Sequence, residues 1–307
     1  MNISTPPPAT TGDERTHNGA LNWVGWVPLL VLPAGALLAR NALPPWGFMW
    51  LLAFAIYAAL KWLTWWQVRA RFSRAGWRSL AYLWAWPGMD AESFLDTAKR
   101  PGRVAGRAWL LAIFKTAMGA VCLWAVAREI PESAPLLRGW VGMLGLILLL
   151  HFGAFEVLAL FWQSRGVAAA PIMSAPLRSA SLSEFWGKRW NLGFRQLAHD
   201  LVFRPLHKSL GSGGAGFLVF VLSGLIHDLV ISVPARGGYG LPTLYFVIQG
   251  VGVAVERSGV GKQLGLRHGM KGWLFMAVTT TAPAFCLFHP PFVRNVILPF
   301  MKAIHAV

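Results

Sequence analysis

Acidic residues are scarce in this chain: 12 Asp and Glu stand against 28 Lys and Arg, and charged residues make up only 13% of the 307. That is about half the share usual in a soluble domain, which argues against an ordinary water-facing surface. The two cysteines, Cys122 and Cys286, both fall in apolar runs. They exclude a disulfide framework and a cysteine-rich metal site. No His-x-x-x-His, paired Cys or carboxylate cluster has metal-ligand spacing, so no metal is expected. There is no Walker motif. The glycine run Gly211-Ser-Gly-Gly-Ala-Gly216 follows no predicted strand and reads as a flexible hinge rather than a nucleotide loop.

Hydrophobic residues reach 55%, and 17 are Trp, many beside Arg or at the edges of apolar runs. Amphipathic rings settle there at the level of lipid headgroups. The formal net charge of +16 is scattered between apolar runs rather than gathered on one soluble face. Membrane topology explains it better than nucleic acid, and no nucleic-acid partner is expected. Candidate spans fall at about 21–39, 45–66, 108–127, 139–162, 216–233, 241–256, 271–289 and 291–306. Each needs roughly 20 apolar residues to cross a hydrocarbon core of about 30 Å. The sixth and eighth are short and hold Gly or Pro. The expected fold is therefore an all-α integral membrane protein of about eight transmembrane helices, with interfacial helices, around an intramembrane cavity.

Residues 1–20 are polar, rich in Pro and Thr, and read as a disordered tail; 21–307 read as one membrane domain. Lys and Arg concentrate in 67–107, 163–215 and 257–271, which lie on one side if the spans are right. The alternate loops are poor in both. By the positive-inside rule this is a multi-pass protein with both termini cytoplasmic.

The two long basic segments are not ordinary loops. The first contains Tyr82-Leu-Trp-Ala-Trp-Pro-Gly-Met-Asp90, an aromatic turn that Pro87-Gly88 keeps from being helical, with Trp84 and Trp86 suited to interface anchoring. In the second, Ser181 and Glu184 fit a capping box that starts a helix near Leu182. Trp186, Trp190, Phe194, Leu197 and Leu201 then recur at helical spacing until Pro205 ends or kinks it. Lys188, Arg189 and Arg195 lie off that stripe. The pattern alone describes a helix lying in the membrane surface.

His227 stands in Ser223-Gly-Leu-Ile-His-Asp-Leu229, about eleven residues into the span that begins near Gly216. At 1.5 Å per residue that is roughly 16 Å deep. An ionisable side chain at that depth pairs, glues helices together or lines a cavity. His151 and Glu156 interrupt the fourth span. Lys115 in the third is best placed as a partner for Glu156, and Lys61 as a cation snorkelling to the surface. His199 and His207 read as solvated.

Together, Ser181-Leu-Ser-Glu-Phe-Trp-Gly-Lys-Arg-Trp-Asn191 and Ser223-Gly-Leu-Ile-His227 resemble the wax-synthase branch of the membrane-bound O-acyltransferases. The likeness is tight over 181–229 and loose over about 80–290, where the Trp-Pro-Gly-Met element adds to it. Asp228 stands where relatives often carry Glu, and Lys188 where Arg is common. The resemblance implies acyl transfer from an acyl-coenzyme A thioester to the hydroxyl of a fatty or other lipid-like alcohol. It implies no acyl-enzyme and no cofactor beyond acyl-CoA as co-substrate. His227 and Asn191 are the implied catalytic pair. Phe185, Trp186, Trp190, Ser223 and His151 are expected to contact substrates, and Lys188, Arg189 or Arg195 to meet the phosphates of coenzyme A. An imidazole, with its ordinary pKa near 6.5, is the natural base for a hydroxyl at neutral pH. A neutral amide suits the acyl carbonyl as its oxygen gains charge. The competing class is a non-enzymatic transporter or lipid-binding scaffold, with His227 and His151 on a polar pathway. No internal repeat of the transporter kind is visible.

Overall fold

Proline stands in the first turn of several helices. The computed structural model describes residues 23–73 and 76–307, so the expected tail at 1–20 lies outside the described residues. No strand occurs among the described residues. The helices are α1 (Val27–Leu38), α2 (Pro45–Val68), α3 (Gly76–Ala85), α4 (Gly106–Glu129) and α5 (Pro135–Ser164), followed by α6 (182–189). The segment Leu192–Ala235 divides at Gly211 into α7 (192–210) and α8 (212–235). Then come α9 (Leu241–Arg257), α10 (Gly269–Leu287) and α11 (Pro290–Ala303). Pro45, Pro135, Pro242 and Pro290 stand in first turns, where the missing N–H has no helical partner to lose.

Four of these segments are long and apolar enough to cross a membrane: α2, α4, α5 and the composite Leu192–Ala235. A fifth arises if α10 and α11, bent by 59° at the Phe288–His289 break, count as one span. Among the described residues, all eight expected segments are largely helical. They do not make eight straight spans. The helix of the first runs only over Val27–Asn41 before a turn, α9 has 17 residues, and Pro290-Pro291 breaks the last pair. Large apolar side chains such as Leu38, Leu110, Phe114 and Leu225 are exposed, as in a protein whose outer solvent is lipid.

Packing between helices uses small residues. A Cβ at Gly145 of α5 would lie 2.9 Å from the Leu123 nitrogen of α4, so the two backbones touch. Lys115 and Glu156 pair between the same helices, as their sequence positions suggest.

Two expectations are corrected here. Lys61 does not snorkel. It is 1% exposed, its Nζ donates to the Gly88 carbonyl at 2.7 Å, and it stands over the Tyr82 ring at 3.1 Å. Only Trp84 is exposed as an anchor would be, because Trp86 is buried against Phe94. One cause serves both. The Pro87-Gly88 turn leaves inward-facing carbonyls without helical partners, and buried carbonyls need donors. Lys61 supplies one, and the Tyr57 hydroxyl supplies another to Trp86 at 3.0 Å.

The amphipathic helix is also redrawn. It starts as expected, with Ser181 Oγ accepting from the Glu184 N–H at 3.1 Å. It then stops at Trp190 instead of running to Leu201, because Asn191 adopts a left-handed conformation with φ 43° and ψ 60°. The groups freed at the break pair with an extended segment. Leu192 N–H donates to Ile172 O at 2.9 Å, and Ser174 N–H to Arg189 O at 2.8 Å. Pro205 neither ends nor breaks α7. A π-helical turn over His199–Phe203 precedes it and absorbs the bond proline cannot make. The break comes at Gly211, with φ 66° and ψ 170°, inside the glycine run read as a hinge.

Candidate active site

The backbone leaves helical geometry at Gly211, between α7 and α8, and the two motifs, 36 residues apart on either side of it, border one cavity. Near the break α7 and α8 touch, with Phe203 Cε2 4.0 Å from where a Gly216 Cβ would stand. Asn191 lies 12 residues before Phe203, and His227 lies 11 residues after Gly216. At 1.5 Å per residue the two are about equally far along their helices, roughly 17 Å from that contact. Both line one cavity of about 590 Å³, a size typical of small-molecule sites.

The walls follow helical periodicity. On α8 the lining residues include Ser212, Gly216, Phe220, Ser223, His227 and Val230, all on one helix face. α7 contributes Phe194, Arg195 and His199, α6 contributes Ser183 and Trp186, α2 Ala53 and Tyr57, and α9 Phe246, Gly250 and Arg257. The surface is mostly apolar with a few polar groups, of which His227 and Asn191 sit on either side of the Gly211 break.

Four residues of Ser223-Gly-Leu-Ile-His-Asp have a visible task. The Ser223 carbonyl is 2.7 Å from His227 Nδ1. A carbonyl only accepts, so Nδ1 carries the proton and Nε2 keeps its lone pair. A Cβ at Gly224 would lie 2.7 Å from Thr243 Cα, so only glycine lets α8 and α9 touch one turn before the imidazole. The Phe246 ring lies 4.5 Å from that of His227, centroid to centroid. The Asp228 carboxylate turns away from the cavity. It accepts from Ser232 Oγ at 2.9 Å, Gly240 N–H at 2.8 Å, Thr243 N–H at 2.9 Å and the Thr243 hydroxyl, closing the turn between α8 and α9.

Asn191 is set by its backbone. Its N–H donates to Met173 Sδ at 3.3 Å, and its side-chain oxygen caps α7 through the Phe194 N–H at 3.5 Å. Asparagine is among the few non-glycine residues that tolerate the left-handed region. Its amide NH2 has no partner among the described residues.

The structure brings His227, Asn191, Trp186, Trp190, Arg195 and Ser223 to the cavity, and it does not bring the other expected site residues there. Phe185 is buried behind the wall, stacked on Trp190 at 5.3 Å. Arg189 turns back to pair with Glu184 at 2.6 Å; the Ala180 N–H, with Arg189 adding to it, holds the Glu184 carboxyl below its ordinary range. Lys188 is exposed to the outside. His151 packs against Phe155 on α5, and its neighbour Phe152 meets Trp190. Phe185, Lys188 and Arg189 lie on other faces of α6 than Trp186, which lines the cavity, and His151 lies on α5.

Sequence reasoning missed the polar face of α9. Glu256 is fully buried and accepts from the Leu182 N–H at 2.6 Å and the Ser183 N–H at 3.1 Å, satisfying the N-terminus of α6. Gln249 accepts from Trp186 Nε1 at 3.3 Å and donates to Thr279 O at 2.7 Å. Arg257 reaches Ser183 Oγ at 3.2 Å and lines the cavity. The available signal was Gln249 and Glu256 seven residues apart in an apolar helix, hence on one face.

A sequence model of the membrane bound O-acyl transferase family matches residues 169–248, the segment that carries both Asn191 and His227. The chain resembles the wax-synthase branch of that family. It is 30% identical over 146 residues to a probable long-chain-alcohol O-fatty-acyltransferase 7 of Arabidopsis thaliana, covering 42% of each chain. It is 29% identical over 143 residues to a long-chain-alcohol O-fatty-acyltransferase of Simmondsia chinensis, covering 42% of this chain and 40% of that one. An Arabidopsis acyl-CoA–sterol O-acyltransferase 1 is 30% identical over 135 residues, covering 40% of this chain and 39% of that relative. The matched stretch thus spans about two fifths of the relatives' own length.

Proposed function

We propose that this protein is a membrane-embedded O-acyltransferase that moves an acyl group from acyl-coenzyme A to the hydroxyl of a long-chain or other lipid-like alcohol, with His227 as general base. One observation carries the reading. His227 and Asn191 line one apolar cavity from either side of the Gly211 break, and the Ser223 carbonyl leaves His227 Nε2 as the proton acceptor. The printed activities of the wax-synthase relatives support the same reaction class.

In this mechanism the alcohol O–H gives its proton to Nε2 as its oxygen forms a bond to the thioester carbonyl carbon. The Asn191 amide donates to the carbonyl oxygen as charge builds there. The C–S bond then breaks, and the departing thiolate takes the proton from the imidazolium, leaving an ester and free coenzyme A. Trp186 and Trp190 wall the hydrocarbon parts, and Ser223 fixes the imidazole through its carbonyl. Phe185 backs Trp190, and Phe152, the neighbour of His151 in sequence, meets the same ring from α5. Arg195 and Arg257, the arginines that line the cavity, meet the coenzyme A phosphates; Lys188 and Arg189 contribute charge outside it. The concentration of Lys and Arg in the segments flanking the site supports a cytoplasmic supply of donor and cytoplasmic termini.

The test is purified protein given labelled acyl-coenzyme A and a panel of alcohols, with ester measured directly. Ester from one alcohol class supports the reading. No ester across a broad panel returns the protein to the scaffold or transporter class.

A further inference from the structure

Midway along the α8 wall the cavity passes a place where a side chain is missing. Gly250 of α9 lines it, facing Phe217 and Phe220 of α8, which line it too. A Cβ at Gly250 would lie 2.8 Å from Phe217 Cδ2, 3.1 Å from Phe217 Cε2 and 3.3 Å from Phe220 Cδ2. The first of these is closer than atoms pack, so a side chain here must drive the rings off α9. Phe220 precedes His227 by seven residues, about two turns or roughly 10 Å. The stretch in question is therefore the hydrocarbon-walled approach to the imidazole and not the imidazole's own contacts.

We propose that Gly250 is a specificity-determining residue: its bare backbone lets the Phe217 and Phe220 rings lie back on α9, and this sets the width of the cavity beside His227 and so the bulk of hydrocarbon admitted. The proposal rests on the acyl-transfer reading for its substrates, but its claim about width does not. The class it governs is the apolar body of the alcohol acceptor or of the acyl chain, with ring-bearing or branched bodies favoured by glycine and unbranched chains tolerated by larger residues. Gly250 lies outside the segment the family model matches.

The experiment compares wild type, Gly250→Ala, Phe217→Ala and the double variant Gly250→Ala/Phe217→Ala. Each is given a linear alcohol and a ring-bearing alcohol of similar carbon count, and the ratio of kcat/KM is read. Thermal shifts with unreactive amphiphiles, one linear and one ring-bearing, provide a second readout that needs no ester formation. One methyl in an apolar pocket typically changes discrimination roughly 10- to 200-fold. Gly250→Ala should therefore cut the ring-to-linear ratio by at least about ten-fold, with linear turnover largely kept. Phe217→Ala alone should raise the ratio, and the double variant should recover it. If Gly250→Ala fails to fold, the rise in Phe217→Ala still decides the matter. An unchanged ratio in every variant would overturn the proposal, because the rings would then have turned outward instead of into the cavity. A parallel loss for both alcohols, unrelieved in the double variant, would overturn it as well. Thermal shifts that follow the predicted ratio while wild type makes no ester would uphold the width claim and reject acyl transfer.

Discussion

His227 Nδ1 lies 2.7 Å from the carbonyl oxygen of Ser223, one helical turn earlier in α8. The bond fixes the tautomer with backbone alone, so no side-chain substitution at Ser223 removes it. It also orients the ring toward the face that α8 turns to the cavity. The proton acceptor of the proposed mechanism is thus prepared by helix geometry, and the neighbours in the motif keep that helix where it is.

Gly224→Ala tests this last point. The added methyl meets Thr243 backbone at 2.7 Å, and backbone cannot rotate aside as a side chain can. Overpacking of this kind costs about 1–3 kcal/mol. The melting temperature in detergent should fall, and turnover should fall further, because α8 must move against α9 and carry His227 with it.

Asn191 has two tasks that different substitutions separate. Asn191→Gly keeps the left-handed backbone and removes the amide, so the protein should fold and lose turnover. Asn191→Ala adds left-handed strain of about 1–2 kcal/mol. It should lower both stability and turnover. Thermal unfolding and ester formation on the same preparations distinguish the two. Full turnover in Asn191→Gly would remove the amide from the mechanism.

Asp228→Asn addresses a structural carboxylate beside the proposed base. Four donors converge on the two oxygens, and an amide NH2 cannot accept from Thr243. Leaving a donor unsatisfied there costs on the order of 1–3 kcal/mol. The expected result is a lower melting temperature with turnover per folded molecule largely retained.

Much of this was legible in the sequence because its signals are local. The capping box at Ser181, the Lys115–Glu156 pair, the Gly211 hinge and the polar residues in apolar runs all declare themselves within a few positions or by helical spacing. What was not legible depends on backbone conformation or on distant partners. A left-handed Asn191 looks like any residue of an amphipathic stripe, so the stripe was read through it. Lys61 was read as snorkelling because its acceptor, Gly88, sits in a turn 27 residues away. Glu256 gives no local sign of its role, since its partners at Leu182 and Ser183 are 74 and 73 residues distant.

The pH dependence of α6 follows from Glu184. The Ala180 N–H at 2.8 Å is the larger cause of its lowered pKa, Arg189 adds to it, and partial burial opposes both. A folded pKa below the unfolded value stabilises the ionised form. The contribution is therefore complete above the ordinary value of 4.5 and is lost as the pH falls through the folded one. The pair is partly exposed, so the effect is modest and screened by salt. Amide protection factors across 182–189 should drop in that acidic window in the wild type and show no such step in Glu184→Gln.

The most direct measurement is ester formation by His227→Ala beside wild type, with labelled acyl-coenzyme A and the preferred alcohol. General-base catalysis contributes a factor of about 10² to 10⁴. The variant should lose at least two orders of magnitude in turnover while remaining monodisperse in detergent and still binding acyl-coenzyme A, since the base contacts the hydroxyl and not the phosphates. Wild-type turnover in His227→Ala would contradict the account.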